Sequence, residues 1–197
     1  MGFLGARMRK KKPRPKQNTK RGRKLHVEVI SASHLASADA KAAKRGALHK
    51  SNVHKSDPFC VIKWDDQKVG QTSVVWDAND PVWENEVFVL QLPIKEADMI
   101  GHKVKIEVHD MDDGGTGEFL GCTTISGVEL AKLPSWGHDS HEVAHVNYKL
   151  GPREGTLPSA SENRFVQGKI QLGLTVISED TESGPPKKLE FEILAAR

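Results

Sequence analysis

The chain of 197 residues has little of several features that define common classes of protein. It contains two cysteines and one tyrosine, and no apolar stretch approaches the roughly 20 residues of a membrane-spanning helix. Its N-terminus lacks the apolar segment of a secretory signal. Cys60 and Cys122 lie in apolar runs without metal-ligand spacing, so we interpret them as small buried side chains in a reducing compartment. These absences favour an intracellular protein.

Catalytic motifs are missing as well. The sequence has neither the G-x-S-x-G of a nucleophile elbow nor a P-loop, and neither cysteine has a suitably placed His and Asn. Three histidines in GHDSHEVAH (His138, His141 and His145) suggest zinc, but no cysteine lies near and the segment has the pattern of a long loop before a strand. We interpret them as loop histidines, and we predict that the protein is not an enzyme and has no small-molecule substrate.

Acidic residues are absent from the first 24 positions, which contain eleven Lys or Arg. Beyond position 24 lie 18 basic and 26 acidic residues, so a basic arm precedes a body with a net charge of −8. The arm cannot bury enough apolar surface to offset its ordering entropy, so we expect it to be disordered or ordered only by a partner. Its clusters are typical of segments that contact anionic membranes, and also of nuclear localisation signals and RNA-binding tails.

From Leu25 onward the sequence consists of short alternating runs. Leu25, Val27 and Val29 alternate with polar residues, which predicts a strand with one buried face. Further strands are predicted at Phe59–Trp64, Glu84–Leu92, Val104–Val108, Phe119–Ile125, His145–Leu150 and Ile170–Val176. The run at 84–92 is apolar on both faces in its second half, as expected of a central strand. Seven or eight short strands between turn-rich segments predict an all-β antiparallel sandwich.

One segment departs from this pattern. Ser37–Lys50 is rich in alanine and begins with Ser and Asp start signals, so we predict a short helix, interrupted near Gly46, inside the first loop. The four tryptophans (Trp64, Trp76, Trp83 and Trp136) we interpret as core or edge packing rather than as a lipid-inserting belt.

Carboxylates stand at the ends of two predicted strands. Ser-Asp-Pro-Phe occupies 56–59, and about fifty residues later come Asp110-Met111-Asp112 and Glu118-Phe119-Leu120-Gly121. Hard cations such as calcium take about six to eight oxygen ligands, often from carboxylates on loops. Two loops that converge at one end of a sandwich would build such a site.

Six sequence pieces together resemble the C2-domain family, the calcium- and phospholipid-binding β-sandwich of signalling and trafficking proteins. They are LHVEVISASHL at 25–35, SDPFCVIKW at 56–64, NDPVWENEVFVLQL at 79–92, VKIEVHDMD at 104–112, EFLG at 118–121 and GKIQLGLTV at 168–176. The piece GKIQLGLTV comes last in this chain rather than before the first strand. The resemblance therefore implies an eight-stranded antiparallel β-sandwich of the family's circularly permuted, type II topology. It implies domains at 1–24 (arm), 25–177 (sandwich) and 178–197 (tail).

The resemblance also implies a calcium ligand set, namely Asp39, Asp57, Asp110, Asp112 and Glu118. Glu118 stands where the family has Asp, and 17 residues separate Asp39 from Asp57, about a dozen more than the family usually has. Asp39 is therefore either a ligand or the N-terminal cap of the inserted helix. Asp113 is a candidate substitute, or a solvated turn residue.

The resemblance implies calcium-dependent binding to anionic phospholipid membranes, with the protein acting by recruitment or scaffolding. We expect contact with the membrane or an acidic partner through Arg7, Arg9, Lys10, Lys11, Lys12, Arg14, Lys16, Lys20, Arg21, Arg23, Lys24, Lys41, Lys44, Arg45 and Met111. The alternative is a non-catalytic interaction protein whose basic arm and insertion bind RNA, tubulin or a protein assembly without calcium. A cytoplasmic or peripheral-membrane location is expected, and a nuclear or organellar assembly is compatible.

Overall fold

Two β-sheets face each other across an apolar core in a computed structural model of the chain. The structure describes residues 22–37, 55–111, 117–133, 135–136, 143–156 and 166–179. Nine strands lie in these ranges: β1 (Gly22–Ser33), β2 (Pro58–Trp64), β3 (Gln67–Gln71), β4 (Val82–Leu92), β5 (Lys103–Asp110), β6 (Glu118–Ser126), β7 (Ser135–Trp136), β8 (Ala144–Lys149) and β9 (Lys169–Glu179). A 3-10 helix (Glu96–Met99) precedes β5, and helix α1 (Gly127–Ala131) follows β6.

One sheet has the order β4-β1-β9, and both β7 and β8 pair with the far side of β9. The other sheet has the order β3-β2-β5-β6. Apart from the two-residue β7, which runs parallel to β9, the strands of both sheets pair antiparallel. The last strand, β9, lies beside the first, β1, along almost its whole length. The predicted antiparallel sandwich with the permuted strand order is confirmed.

The residues that form the core are the apolar ones that recur at every second position of the strands. Leu25, Val27 and Val29 of β1 are fully buried, and the four apolar residues Ile170, Leu172, Leu174 and Val176 of β9 belong to one core cluster with apolar residues of β5 in the other sheet. Burial of each such side chain contributes about 1.5–3 kcal/mol. Cys60 and Cys122 are both buried and free, as the sequence predicts. All seven predicted strands are present.

Strand β4 is an edge strand, so the prediction of a central strand at 84–92 is wrong. Val87 and Val89 on its outer face are 46% and 50% exposed, whereas Leu90 and Leu92 are buried in the core. A run that is apolar on both faces is typical of a strand with other layers packed on both faces. Strand β4 pairs only with β1 at the edge of the sheet, and its outer face is exposed to solvent.

Strand β3 has no apolar signal and was not predicted from the sequence. It follows β2 through a turn at Asp65 and Asp66, whose φ angles are +47° and +64°. Two consecutive residues with positive φ are typical of the two-residue hairpin turn that matches the twist of antiparallel strands, and Asp tolerates this region better than most residues. The turn rather than the composition of QKVGQ therefore defines this strand.

The inserted helix predicted at Ser37–Lys50 lies outside the described residues except for Ser37, which is not helical. At the N-terminal side, β1 begins at Gly22, so positions 22–24 belong to the sandwich and not to the arm. Arg23 points inward and is 7% exposed, which corrects its assignment as a contact for an anionic surface. The strand extends further toward the N-terminus than its apolar residues indicate.

Arg23 is a buried charge with poor compensation. Both terminal guanidinium nitrogens are buried without a hydrogen-bond acceptor among the described residues. The exposed Glu96 lies 3.8 Å away, measured from Nη2 to Oε1, which is too long for a hydrogen bond. Burying a charge under these conditions costs free energy that an apolar side chain of similar length avoids.

We therefore predict that Arg23→Met raises the free energy of unfolding by about 1 kcal/mol, measured by urea denaturation. Arg23→Ala, which also removes the packing of the aliphatic stem, is the matched comparison and should gain less than Arg23→Met or lose stability. A loss of more than about 2 kcal/mol in Arg23→Met would contradict this account, because it would mean that the guanidinium is well compensated.

Candidate ion-binding loop end

Three loops meet at one end of the sandwich. We call them loop A (34–57, described at 34–37 and 55–57), loop B (72–81) and loop C (111–117, described at 111 and 117). Pro58 at the start of β2 lies opposite Asp110 at the end of β5, and Asp110 lies opposite Glu118 at the start of β6. Adjacent antiparallel strands thereby bring loops A and C together, as the sequence predicts.

A pair of hydrogen bonds joins loops A and C directly. The backbone N–H of Asp57 donates to Oδ1 of Asp110 at 2.6 Å, and the N–H of Met111 donates to the carbonyl of Asp57 at 2.9 Å. Asp110 is 3% exposed, so this carboxylate is held close to the protein body. Two of the five predicted ligands, Asp57 and Asp110, therefore lie together.

Loop B, which is not one of the loops predicted to form the site, holds the Asp57 carboxylate. The N–H of Asp77 donates to Oδ1 of Asp57 at 2.7 Å, and Asp77 adopts a φ of +55°. Val75 and Ala78 donate their N–H groups to the carbonyls of Pro58 (3.0 Å) and Ser56 (2.8 Å). The cluster Asp77-Ala-Asn-Asp80 was the signal for this loop, because Asn and Asp favour such turns.

Loop B also fastens the two ends of loop A. Oδ1 of Asn79 accepts the N–H of Ser56 at 3.2 Å, and Oδ1 of Asp80 accepts the N–H of His34 at 2.8 Å. The carbonyl of Asn79 accepts the N–H of Leu35 at 3.1 Å. Acceptors in loop B thus hold the backbone of loop A in a fixed path on either side of the inserted segment.

The donor chemistry of this end suits a hard cation. Asp57 and Glu118 are half-buried, and within the described ranges no Lys or Arg forms an ion pair with Asp57. Asp39 and Asp112 lie outside the described residues, and inside them no group of three or more His, Cys, Asp or Glu is close enough to hold a metal. The two clustered carboxylates are oxygen ligands of the kind that calcium takes.

The other predicted contact residues fall in different places. Met111 is half-buried beside Asp110, at the loop end, whereas Lys24 lies within β1. The remaining predicted basic contacts at positions 7–21 and 41–45 lie outside the described residues. In the described part of the chain, no helix is long and apolar enough to cross a membrane.

The tryptophans divide into two groups. Trp83 is 3% exposed and its indole N–H donates to the carbonyl of Ser73 at 3.0 Å, and Trp64 packs against the core. Trp76 is 68% exposed in loop B, so the interpretation as packing is wrong for this residue. The side chain of Trp136 is not among those described. The sequence around Trp76 contains no signal that separates it from Trp83.

The sheet β3-β2-β5-β6 carries lysines that are already paired. Lys105 lies 2.7 Å from Asp66 and 3.3 Å from Glu154, and Lys103 lies 2.9 Å from Glu154. Burial acts to lower the pKa of Lys105, but hydrogen bonds to the two carboxylates outweigh it and raise the pKa. Lys103 and Lys105 on this face of the sandwich therefore have their positive charge paired within the fold.

A second group on the same sheet centres on Glu107, which is 4% exposed. Nζ of Lys63 lies 2.8 Å and Nε2 of His109 lies 3.2 Å from its Oε2. Burial acts to raise the pKa of Glu107, but the hydrogen bonds from Lys63 and His109 outweigh it and lower the pKa below its ordinary value. The charged form of Glu107 is therefore the one that the fold stabilises.

A lowered pKa means that Glu107 stabilises the fold above its unfolded pKa of about 4.3, and that this contribution is lost as pH falls through the folded value. We predict that Glu107→Gln is less stable than the wild type near neutral pH by about 1 kcal/mol or more. The difference should shrink as the pH falls below about 4. Urea denaturation across this range measures it, with the exposed Glu84→Gln as control. A gap that stays constant with pH would contradict the assignment.

Comparison with known proteins agrees with this architecture. A model of the C2 domain matches residues 23–145, more than half of the chain. The chain belongs to the C2-domain family, which comprises membrane- and lipid-binding modules of signalling proteins. Calcium binding is common in this family.

The similar proteins are larger or share the fold alone. Human RasGAP-activating-like protein 1 is 26% identical over 173 residues, which are 88% of this chain and 17% of that protein. The mouse protein of the same name is 32% identical over 71 residues, 36% of this chain and 8% of that protein. The chain spans under a fifth of the length of these curated relatives.

Two solved structures show the same fold. A C2 domain of plant Extended Synaptotagmin 1 superposes with a TM-score of 0.55 at 19% identity, covering 80% of this chain and 95% of that domain. A calcium-bound structure of two C2 domains of Extended-Synaptotagmin 2 gives a TM-score of 0.52 at 24% identity, covering 77% of this chain and 44% of that one. At these identities the likeness concerns the fold.

Proposed function

We propose that this C2 domain binds anionic phospholipid membranes in a calcium-dependent manner through its loop end, and that it acts by recruitment or scaffolding without catalysis. The observation that carries the proposal is the hydrogen bond from the Asp57 N–H to the Asp110 carboxylate, since it holds two acidic loops together. Family membership supports the lipid surface as the partner. The rival hypothesis of an RNA, tubulin or protein partner has no support among the described residues or in the comparisons.

The clustered carboxylates would make membrane binding depend on calcium. Two like charges about 4 Å apart repel by about 1 kcal/mol in water and by more near a protein surface. An acidic loop end also repels an anionic membrane. A bound calcium ion would supply positive charge and coordination positions for lipid phosphate. Asp57 and Asp110, with Asp112, Glu118 and either Asp39 or Asp113, would hold the ion.

Backbone N–H groups hold the carboxylates of this site in position before an ion binds. The N–H groups of Asp77 and Asp57 each donate to a carboxylate oxygen, on Asp57 and Asp110 respectively, so one oxygen of each carboxylate has a fixed position. Holding ligands before the ion arrives reduces the entropy that binding must offset. The basic arm would add electrostatic attraction to an anionic surface of about 1 kcal/mol per Lys or Arg near it. These features favour a peripheral membrane location inside the cell.

We predict that Asp57→Asn combined with Asp110→Asn abolishes calcium-dependent sedimentation with anionic vesicles. Asn keeps a side-chain oxygen to accept the N–H bonds of Asp77 and Asp57, so only the charge is removed. Thermal stability should stay unchanged or rise, because like-charge repulsion is relieved.

The matched control is Asp98→Asn, which removes an exposed carboxylate from the 3-10 helix at the other end of β5. It should sediment with vesicles like the wild type. A folded Asp57→Asn/Asp110→Asn protein that still sediments only when calcium is present would refute the assignment of these two ligands.

Deletion of residues 1–21 tests the arm. This truncation removes nine Lys or Arg and stops before β1, whose first residue is Gly22. We predict weaker binding to anionic vesicles and a flatter dependence on salt, because exposed charges are screened over about 8–10 Å at physiological ionic strength. Calcium dependence should remain. Equal binding of the truncated and full-length proteins at low salt would show that the arm does not contact the membrane.

A further inference from the structure

A groove lies on the outer face of the sheet β4-β1-β9, and none of the residues that line it belongs to loops A, B or C. Its volume is about 150 Å³, and its apolar lining comes from Val87 of β4, Val143 just before β8 and Ile177 of β9. Alternate residues of β1 are buried in the core, so Glu28 of the same strand points outward into this groove. The groove is therefore a surface separate from the loop end.

Gly173 of β9 lets the Glu28 carboxylate lie against the sheet. Glu28 pairs with Val87 on one side and with Gly173 on the other. A Cβ atom on residue 173 would lie 2.9 Å from Oε2 of Glu28 and 2.9 Å from Cγ1 of Val143. Because glycine has no side chain, a carboxylate and a valine methyl group meet over the backbone of β9. A negative charge therefore lies at the floor of a groove with apolar walls.

The charge of Glu28 has no compensating group within the described part of the chain. Glu28 is half-buried, yet no hydrogen bond or ion pair among the described residues involves it. Glu107, by contrast, lies 2.8 Å from Nζ of Lys63. Partial burial of a carboxylate costs free energy that a cation with suitable hydrogen-bond donors can offset. A ligand of this groove should therefore bring a positive charge.

The size and the walls of the groove define the rest of the ligand. Pockets for small molecules usually have volumes of about 300–1,000 Å³, so a groove of about 150 Å³ suits a single side chain. An aliphatic side chain would cover the Glu28 carboxylate without a partner for its charge. Arginine and lysine combine an apolar stem with a cationic end. Arginine fits better, because its planar guanidinium donates two parallel hydrogen bonds to a carboxylate and is more weakly hydrated than an ammonium group.

We propose that this groove binds an arginine side chain from an extended basic segment of a partner protein. An extended segment fits because β4, beside the groove, is the edge strand of its sheet among the described strands, and such an edge can pair with an added strand. Val89, which is 50% exposed two residues after Val87, extends the apolar surface for a neighbour of the arginine. This partner is basic, unlike the acidic partners considered for the N-terminal arm.

The inference goes beyond the proposed function and does not depend on it. The groove contains no residue of the three loops that form the loop end, so the domain would hold a basic protein and a membrane at the same time. Recruitment by this domain would then have a partner of defined chemistry, and binding of that partner would not require calcium.

The test uses the full chain without calcium or vesicles, and its probe is a short synthetic peptide of threonine and valine with one central arginine. A matched peptide carries citrulline, which keeps the shape of arginine but is neutral. The arginine peptide should shift the NMR amide signals of Gly173 and Thr175. It should bind about fivefold more tightly than the citrulline peptide, near the upper end of what partly exposed ion pairs contribute. This comparison needs no variant of the protein.

Variants test the same pair from the side of the protein. Glu28→Gln should weaken binding of the arginine peptide about fivefold and remove its advantage over the citrulline peptide. Gly173→Ala, whose methyl group occupies the floor of the groove, should weaken binding of both peptides. Glu84→Gln is the matched control, because Glu84 is an exposed carboxylate of β4 that does not line the groove. Its affinity should stay within about twofold of the wild type.

Equal affinity for the two peptides, signal shifts elsewhere on the sandwich, or wild-type affinity of Glu28→Gln would overturn the inference and leave the calcium-dependent docking intact. Dimers of the wild type in analytical ultracentrifugation that Val87→Lys disrupts would place a second copy on this face and would also overturn it. Failure of the chain to bind vesicles with calcium would overturn the proposed function alone.

Discussion

The hydrogen bond from the Asp57 N–H to the Asp110 carboxylate is the contact on which the loop end depends. It lies where β2 and β5 run side by side, so the register of the central strands decides which residues of loops A and C meet. Loop B adds a second bond, from Asp77 to Asp57, and through it fixes the place of Trp76. Shifting the register of β2 against β5 by one residue would turn Asp110 to the other face and separate these groups.

Charge is distributed unevenly over the sandwich. On the sheet β3-β2-β5-β6, Lys63, Lys103 and Lys105 have carboxylate partners within 3.3 Å, which keeps that face near neutral. At the loop end, Asp57 has backbone donors instead of a described lysine or arginine. A backbone N–H orients a carboxylate without cancelling its charge, so the hydrogen bond from Asp77 leaves the charge of the Asp57 carboxylate in place.

Most of the fold could be predicted because period-two alternation reports which side of a strand is buried, as in Leu25–Val29 and Ile170–Val176. The convergence of Asp57 and Asp110 followed from the family resemblance. Two predictions were wrong because they depend on which residues lie nearby in three dimensions. Strand β4 is apolar on both faces yet lies at an edge of its sheet. Trp76 resembles Trp83 in sequence but is exposed. The contribution of Asp77 comes from its backbone N–H in a left-handed conformation. The cluster at 77–80 indicates a turn there, but it does not indicate which carboxylate this N–H meets.

If the loop end is a calcium-dependent docking surface for anionic membranes, the protein should bind calcium, and lipid should strengthen that binding. Titration of the full chain with calcium in a calorimeter, with and without phosphatidylserine vesicles, tests it most directly. We expect measurable heat from calcium alone and an apparent calcium affinity that rises by about tenfold or more with vesicles, because lipid phosphate would complete the coordination of the ion. No heat in either titration would contradict the account and leave a sandwich that serves only as a scaffold.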